Sequence, residues 1–219
     1  MVSTIPSTDS ERSQKAVDVA QQYLRRERPL NALVVVLAVS VFLGTYLLTA
    51  LLPSVLVAAI LIIGVRLPIF QSNGTFRLRT SDDLDTVIDE FSGPLPPVLA
   101  LQWGVADKVS IEGDTAIYSV SYLFGLRSAD VTVHTKTDST AGGGYLIESE
   151  VTVDGQPWAT YTSTINSSRE YTTIDVTYSS NRRFGLRRVP QQLIANRYRD
   201  EVLSVQGYTV VTRESHFGI

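Results

Sequence analysis

Residues 74–91 read GTFRLRTSDDLDTVIDEF, and the period of the apolar positions changes half-way along. Phe76 and Leu78 alternate with Arg77 and Arg79, the two-residue repeat of a strand with one buried face. From Ser81 the repeat becomes helical. Leu84, Val87, Ile88 and Phe91 fall on one side, acids fill the first turn, and Ser81 stands where a cap is expected. Gly93-Pro94 ends this helix, and PPVLALQW (96–103) reads as a second short helical piece.

Downstream, six runs with strand character are separated by turn signals: VADKVSIEG, TAIYSVSYLFG, ADVTVHTKT, GYLIESEVTVDG, QPWATYTSTIN and REYTTIDVTYSS. Glu112-Gly113-Asp114 and Asp154-Gly155 are hairpin-type turns, and Gly142-Gly143-Gly144 is a flexible link. Short links between successive strands predict an antiparallel meander. The period then returns to helical over 186–206, where Val189, Leu193, Ile194, Tyr198, Val202 and Leu203 recur, Gly207 closes the helix, and YTVVTRE is a strand-like tail.

The order is strand, two short helices, six strands and a long C-terminal helix. In this order residues 74–206 resemble the START-like, polyketide-cyclase-like (SRPBCC) superfamily, whose opening strand runs directly into a helix as FRLRTSDDLDTVIDEF does. The resemblance implies an α+β helix-grip domain over 74–219, a curved antiparallel sheet around a long C-terminal helix. It also implies a cavity between sheet and helix for an apolar ligand. Two departures stand out: Trp103 is alone after the second helix, where the superfamily often has several tryptophans, and no convergent acid/base set is present.

Alternation assigns the faces that would line such a cavity. Tyr118, Val120, Tyr122 and Phe124 share one face of their strand, as do Ala129, Val131 and Val133, then Tyr161 with Ile165, and Ile174, Val176 and Tyr178. With Leu193 and Tyr198 from the last helix, the cavity candidates are Tyr118, Tyr122, Phe124, Val131, Val133, Tyr161, Ile174, Tyr178, Leu193 and Tyr198. The aromatics either fill the core or leave a void into which tyrosine hydroxyls point.

From Leu30 to Val65 there is no charged side chain. The apolar stretch to Phe70 would be about 60 Å long as one helix, twice the ~30 Å of bilayer hydrocarbon, so two spans are expected, 30–50 and 53–70. Pro53 suits the first turn of the second, which makes Pro53-Ser54 the reversal. Arg25, Arg26 and Arg28 precede the pair and Arg66 closes it, which by the positive-inside rule puts both flanks in the cytoplasm. Residues 1–29 are then a cytoplasmic segment with a short helix ending at Arg28-Pro29. The alternative is one tilted span, 30–52, followed by a buried or interfacial helix. It would put the domain outside and open the sequons at Asn73 and Asn166. No signal-peptide pattern accompanies the apolar run, which is expected to remain as an anchor in the plasma membrane of a prokaryote.

Without cysteine, thiolate sites and cysteine nucleophiles are excluded. His134 and His216 have no metal-ligand spacing, no dinucleotide or phosphate-loop fingerprint occurs, and no metal or cofactor is expected. Glu148 and Glu150 share a strand face and read as solvated. Three lysines against 16 arginines, with Asp more frequent than Glu, suit a halophilic source. Residues 71–180 carry 15 acids against 6 basic residues, whereas 181–219 carry 7 arginines against 3 acids. The cluster Arg182, Arg183, Arg187, Arg188, Arg197 and Arg199 sits on an acidic domain. It therefore points to ion pairing or acidic lipid rather than nucleic acid.

These readings lead to a membrane-anchored, non-enzymatic module that binds an apolar or lipid-like ligand at the cytoplasmic face, with the bilayer as its partner. The alternative is a tethered protein-interaction domain with a filled core. An enzyme of cyclase or hydrolase type comes last, because it needs converging polar groups inside the cavity.

Overall fold

A computed structural model of the chain describes residues 13–113, 115–122, 127–139, 144–168, 170–185 and 189–218. Two helices lead, α1 (Gln14–Leu48) and α2 (Leu51–Arg66). The sheet domain follows as β1 (Phe70–Thr80), α3 (Leu84–Ser92), a 3-10 turn (Pro97–Leu99), α4 (Ala100–Gly104), β2 (Lys108–Glu112), β3 (Thr115–Tyr122), β4 (Arg127–Ser139), β5 (Tyr145–Val153), β6 (Gln156–Ser167), β7 (Thr172–Phe184), α5 (Val189–Val205) and β8 (Thr209–Gly218).

One antiparallel sheet holds all eight strands in the order β2-β3-β4-β5-β6-β7-β1-β8. The meander from β2 to β7 is as expected. β1 closes on β7 through Phe76↔Val176 and Leu78↔Ile174, and the tail strand β8 adds to its other edge. The result is an α+β architecture with a large antiparallel sheet and helices against one face, consistent with a helix-grip fold.

The pairing register carries the apolar face across the sheet. Tyr118 lies opposite Val131, Ala116 opposite Val133, Val151 opposite Ala159, Tyr161 opposite Tyr178, and Ile165 opposite Ile174. Because side chains alternate, the other face carries what remains: Thr75, Thr177 and Thr162 lie in one row, and Arg77 forks onto Asp175 with Nε 2.6 Å from Oδ1. Four helical pieces cover the apolar face with Val87, Phe91, Leu99, Trp103, Tyr198, Val202 and Leu203, all buried.

Several local expectations shift. The cap of α3 is Asp83, whose carboxylate accepts from the Thr86 N–H at 2.8 Å, and not Ser81. That interaction holds the Asp83 carboxyl below its ordinary range, with the Thr86 backbone bond the largest cause. Ser81 falls instead in a bend that Thr80 and Asp82 fix by a 2.8 Å hydrogen bond. The last helix is described from Val189; the expected start at 186 lies outside the described residues, as do Gly142, Gly143 and Asp114.

The N-terminal region departs most. The expected short helix ending at Arg28-Pro29 does not end there: α1 runs through Pro29 for 35 residues, about 52 Å. Packing supports its first half. Ala16, Ala20 and Tyr23, spaced four and three apart, are buried against α4 and α5. At Gly104 the fit is closest, since a Cβ there would lie 2.8 Å from the Ala20 methyl. Tyr23 meets Tyr198 edge-on at 5.7 Å, and the Arg26 guanidinium sits 5.9 Å from the same ring.

The reversal comes at Thr49-Ala50, earlier than Pro53-Ser54. Pro53 is the third residue of α2, still within the turn whose N–H groups need no helical partner. α2 has 16 residues where 53–70 was expected. Among the described residues, no helix is long and apolar enough to cross a membrane.

Candidate functional site

The space between the sheet and α5 was expected to hold a ligand. Among the described residues that space holds a cavity of about 10 Å³, lined by Phe76, Leu101, Tyr161, Tyr178, Arg199 and Arg213 among others. That is room for about one water. The filling comes from rings. Tyr161 stacks on Tyr178 at 6.1 Å, Phe76 tilts against Tyr178 at 6.3 Å, and the Arg213 guanidinium lies 4.6 Å from the centre of the Phe76 ring.

Of the cavity candidates, Tyr118, Val133, Tyr161, Ile174, Tyr178 and Tyr198 are buried in one continuous core, and Val131 is half-buried against it. Among the described candidates, only Tyr161 and Tyr178 border the small space. Tyr118 points elsewhere and donates its hydroxyl to the Pro94 carbonyl at 2.6 Å; burial pushes its phenol pKa up. Phe124 lies outside the described residues, as do the side chains of Tyr122, Leu193, Arg28 and Arg66. Arg25 and Arg26 are exposed on α1.

Among the described residues, no ion pair joins Arg197 or Arg199 to Asp200 or Glu201 of the same helix. Arg199 donates to Asn196 Oδ1 at 3.0 Å, Arg197 is exposed, and Asp200 pairs with Arg213 from β8. Three buried polar atoms around this region lack a partner: Gln102 Oε1, Arg199 Nε and Arg213 Nε.

Sequence reasoning missed a second site. The segment Gly93–Pro97 crosses the helix-covered face, held by Tyr118 on one side and by Trp103, whose indole N–H donates to the Pro96 carbonyl at 3.2 Å. A groove of about 330 Å³ opens beside it, lined by Ser92, Pro94, Ile111, Ala116, Val133, Thr135 and Thr137. A shallower hollow of about 420 Å³ on the other side includes Asp89, Glu90, Trp103 and Gln206. Glu90 there accepts from the buried Tyr208 hydroxyl at 2.5 Å; burial, then that bond, pushes the Tyr208 pKa up. The signal for the groove was available in Thr135 and Thr137, which continue the inward face of β4 beyond Val133 with hydroxyls in place of apolar groups.

The remaining polar candidates lie on the open face. His134 Nδ1 is 3.0 Å from Thr115 Oγ1, Glu150 pairs loosely with Lys136 at 3.5 Å, and His216 is exposed on β8. Among the described residues no three His, Asp or Glu side chains are grouped as a metal site.

No family model matches the chain, and no curated protein matches it. Among solved structures it is similar to a START superfamily protein from Mycobacterium smegmatis, at 9% identity and TM-score 0.41 over 62% of this chain and 97% of that one. A Rhizobium loti protein aligns at 15% identity and TM-score 0.40, covering 62% and 96%. A norcoclaurine synthase point mutant from Thalictrum, in complex with a transition-state analogue, aligns at 13% and 0.36, covering 63% and 98%. Likenesses at this level carry no argument about function.

Proposed function

We propose that the chain is a membrane-seated interaction module: α1 and α2 enter the bilayer as an apolar hairpin, and the sheet domain presents a surface to a partner protein at the cytoplasmic face of a prokaryotic plasma membrane. The observation that carries the interaction reading is the ~10 Å³ space where an apolar ligand would have to sit. Small-molecule sites span roughly 300–1,000 Å³. A domain whose interior is occupied by its own rings has its outer surfaces left for recognition. One of these is the open sheet face, where from Ser72 on the exposed residues of β1 alternate with buried ones.

Support for the bilayer comes from the hairpin. Leu47 and Leu48 are 81% and 87% exposed, and Leu52 and Ile60 are 73% and 69% exposed. Apolar surface on that scale is unfavourable in water. The polar groups at the reversal are turned inward: Thr45 Oγ1 donates to the Val41 carbonyl at 2.8 Å, Thr49 Oγ1 to Thr45 at 2.7 Å, and Ser54 Oγ to Ala50 at 2.7 Å. Internal satisfaction of this kind is what a hydrocarbon surrounding requires. Arg25 and Arg26 on α1 sit on the headgroup side, as the positive-inside rule asks.

Full-length chain purified in mild detergent tests the interior. No stoichiometric lipid by native mass spectrometry, and no displaceable fatty-acid probe, is the expected result; a one-to-one bound lipid would sink the filled-interior reading. Protease added to sealed, right-side-out vesicles should spare the sheet domain.

A second reading, ligand binding, is favoured by the ~330 Å³ groove under Ser92–Pro94, whose mixed lining suits a small amphipathic molecule. Thr135→Trp would fill that groove. A bound molecule lost in this variant, with the fold retained, would move the function there.

A further inference from the structure

The antiparallel register places five features at one end of the sheet: the start of β1, the end of β7, the start of β6, the β5–β6 turn and the start of β4. Phe70 lies opposite Phe184, Gln71 opposite Arg183, and Val153 opposite Gln156. This is also the end to which the hairpin is attached. α2 finishes at Arg66 and β1 begins at Phe70, a reach of at most about 14 Å.

The chemistry of this end differs from the rest of the domain. The Phe70 and Phe184 rings meet at a tilt, 5.9 Å between centres. Trp158 is half-buried, with the Arg182 guanidinium 5.3 Å from its ring, and Arg127, Arg182 and Arg183 are exposed. Among the described residues none of these three arginines is in an ion pair. The nearby acids Asp154 and Asp130 are turned back onto the chain: the Asp154 carboxylate accepts from the Asp130 N–H at 3.0 Å, and the Asp130 carboxylate accepts from the Ser119 hydroxyl at 2.7 Å. An otherwise acidic domain thus shows a cationic, aromatic rim at the end nearest the hairpin.

We propose that this rim is a second bilayer contact, in which Trp158 lies at headgroup depth and Arg127, Arg182 and Arg183 hold anionic lipid phosphates. The proposal rests on the membrane reading above. Headgroups occupy some 5–8 Å on each side of the hydrocarbon, within the reach that the Arg66–Phe70 link allows. Tryptophan with an arginine on its ring is suited to that layer, because one part is apolar and the other wet. Juxtamembrane cations gain from an anionic surface. Two contacts, hairpin and rim, then fix the tilt of the sheet against the membrane.

The chain's two tryptophans make the test direct. Trp103 is buried and serves as an internal reference, while Trp158 is half-buried. Full-length chain is reconstituted in phosphatidylcholine vesicles, with and without phosphatidylglycerol, carrying a spin label on the headgroup. The expected result is quenched emission in the anionic vesicles, absent in Trp158→Phe. In R182E/R183E the quenching is largely lost, since each basic residue at an anionic surface shifts the population by a factor of about five. Flotation and near-ultraviolet circular dichroism report binding and fold for each variant. A chain that floats while its emission is quenched no more than that of Trp158→Phe overturns the rim and leaves the hairpin standing. Equal quenching of R182E/R183E and wild type overturns the role of anionic lipid. A chain that does not float overturns the membrane reading and the rim with it.

Discussion

The interior of the sheet domain and the surface of the α1–α2 hairpin are built from the same residue types, and those residues meet opposite surroundings. Ile174 on β7 is fully buried, whereas Ile60 on α2 is 69% exposed. The difference lies in pattern. Along β7 apolar and polar residues alternate, so one face can be covered and the other left to water; α2 is apolar all round, and one neighbouring helix covers only a strip of it. Composition alone does not say where a leucine or isoleucine ends up; the period of its neighbours does.

The largest effects should come from breaking the covered side of that contrast. Ile174→Ala should lower unfolding stability by about 2–5 kcal/mol, as truncations in a close-packed core do. Ile60→Ala in the same detergent should change it by less than about 0.5 kcal/mol. Chemical denaturation followed by near-ultraviolet circular dichroism measures both, and equal losses would erase the distinction.

Gly104→Val comes next, because it strikes where α1 is clamped to the domain. Side-chain carbons at Gly104 meet Ala20, and overpacking of this kind costs about 1–3 kcal/mol. Limited proteolysis should then cut α1 near Tyr23 while the sheet stays resistant.

Tyr208→Phe should cost about 1–3 kcal/mol, because it leaves the Glu90 carboxylate without its donor. The same tyrosine gives a pH dependence. Tyr118 and Tyr208 both have raised folded-state values, so their contribution is present below the ordinary tyrosine value of about 10 and is lost as pH rises above it. Phenolate absorbance from these two should therefore appear together with unfolding and not before it.

Asp83→Asn is the smallest. The Asp83 value is lowered by folding, so the cap's ionic contribution is present above about pH 4 and fades as pH falls through the folded value. Denaturation midpoints of variant and wild type should differ at neutral pH and converge in acid.

Much of the architecture could be read from alternation. The six-strand meander, the inward faces of β3, β6 and β7, and the switch from β1 into α3 follow from period-two and helical repeats in single segments. What escaped depended on relations between segments. β8 could be read as a strand, but not that its partner is β1, because pairing is decided by edges and not by local pattern. The stripe Ala16, Ala20, Tyr23 was present at helical spacing, yet alanines carry little hydrophobic signal and their meaning lay in Gly104, some eighty residues away. Pro29 read as a helix end, and nothing in its own segment signals that α1 continues through it. Whether the tyrosines would enclose a void depended on ring tilt and on Arg213 of β8, none of which a face assignment contains. The Ser92–Pro94 groove was missed because the face assignment of β4 stopped at Val133 and did not follow Thr135 and Thr137, which line the groove.

Continuity of α1 has one more consequence. The helix runs from its seat beside Tyr198 to the reversal at Thr49 with no joint, so the two parts it connects share a phase as well as a distance. Each residue along it stands for about 100° of rotation and 1.5 Å of height. One residue inserted between Tyr23 and Leu33 would turn the hairpin about a third of a revolution against the domain, while four would return it nearly to the starting azimuth one turn higher. The chain is geared at that helix, and its tolerance for insertions should be periodic.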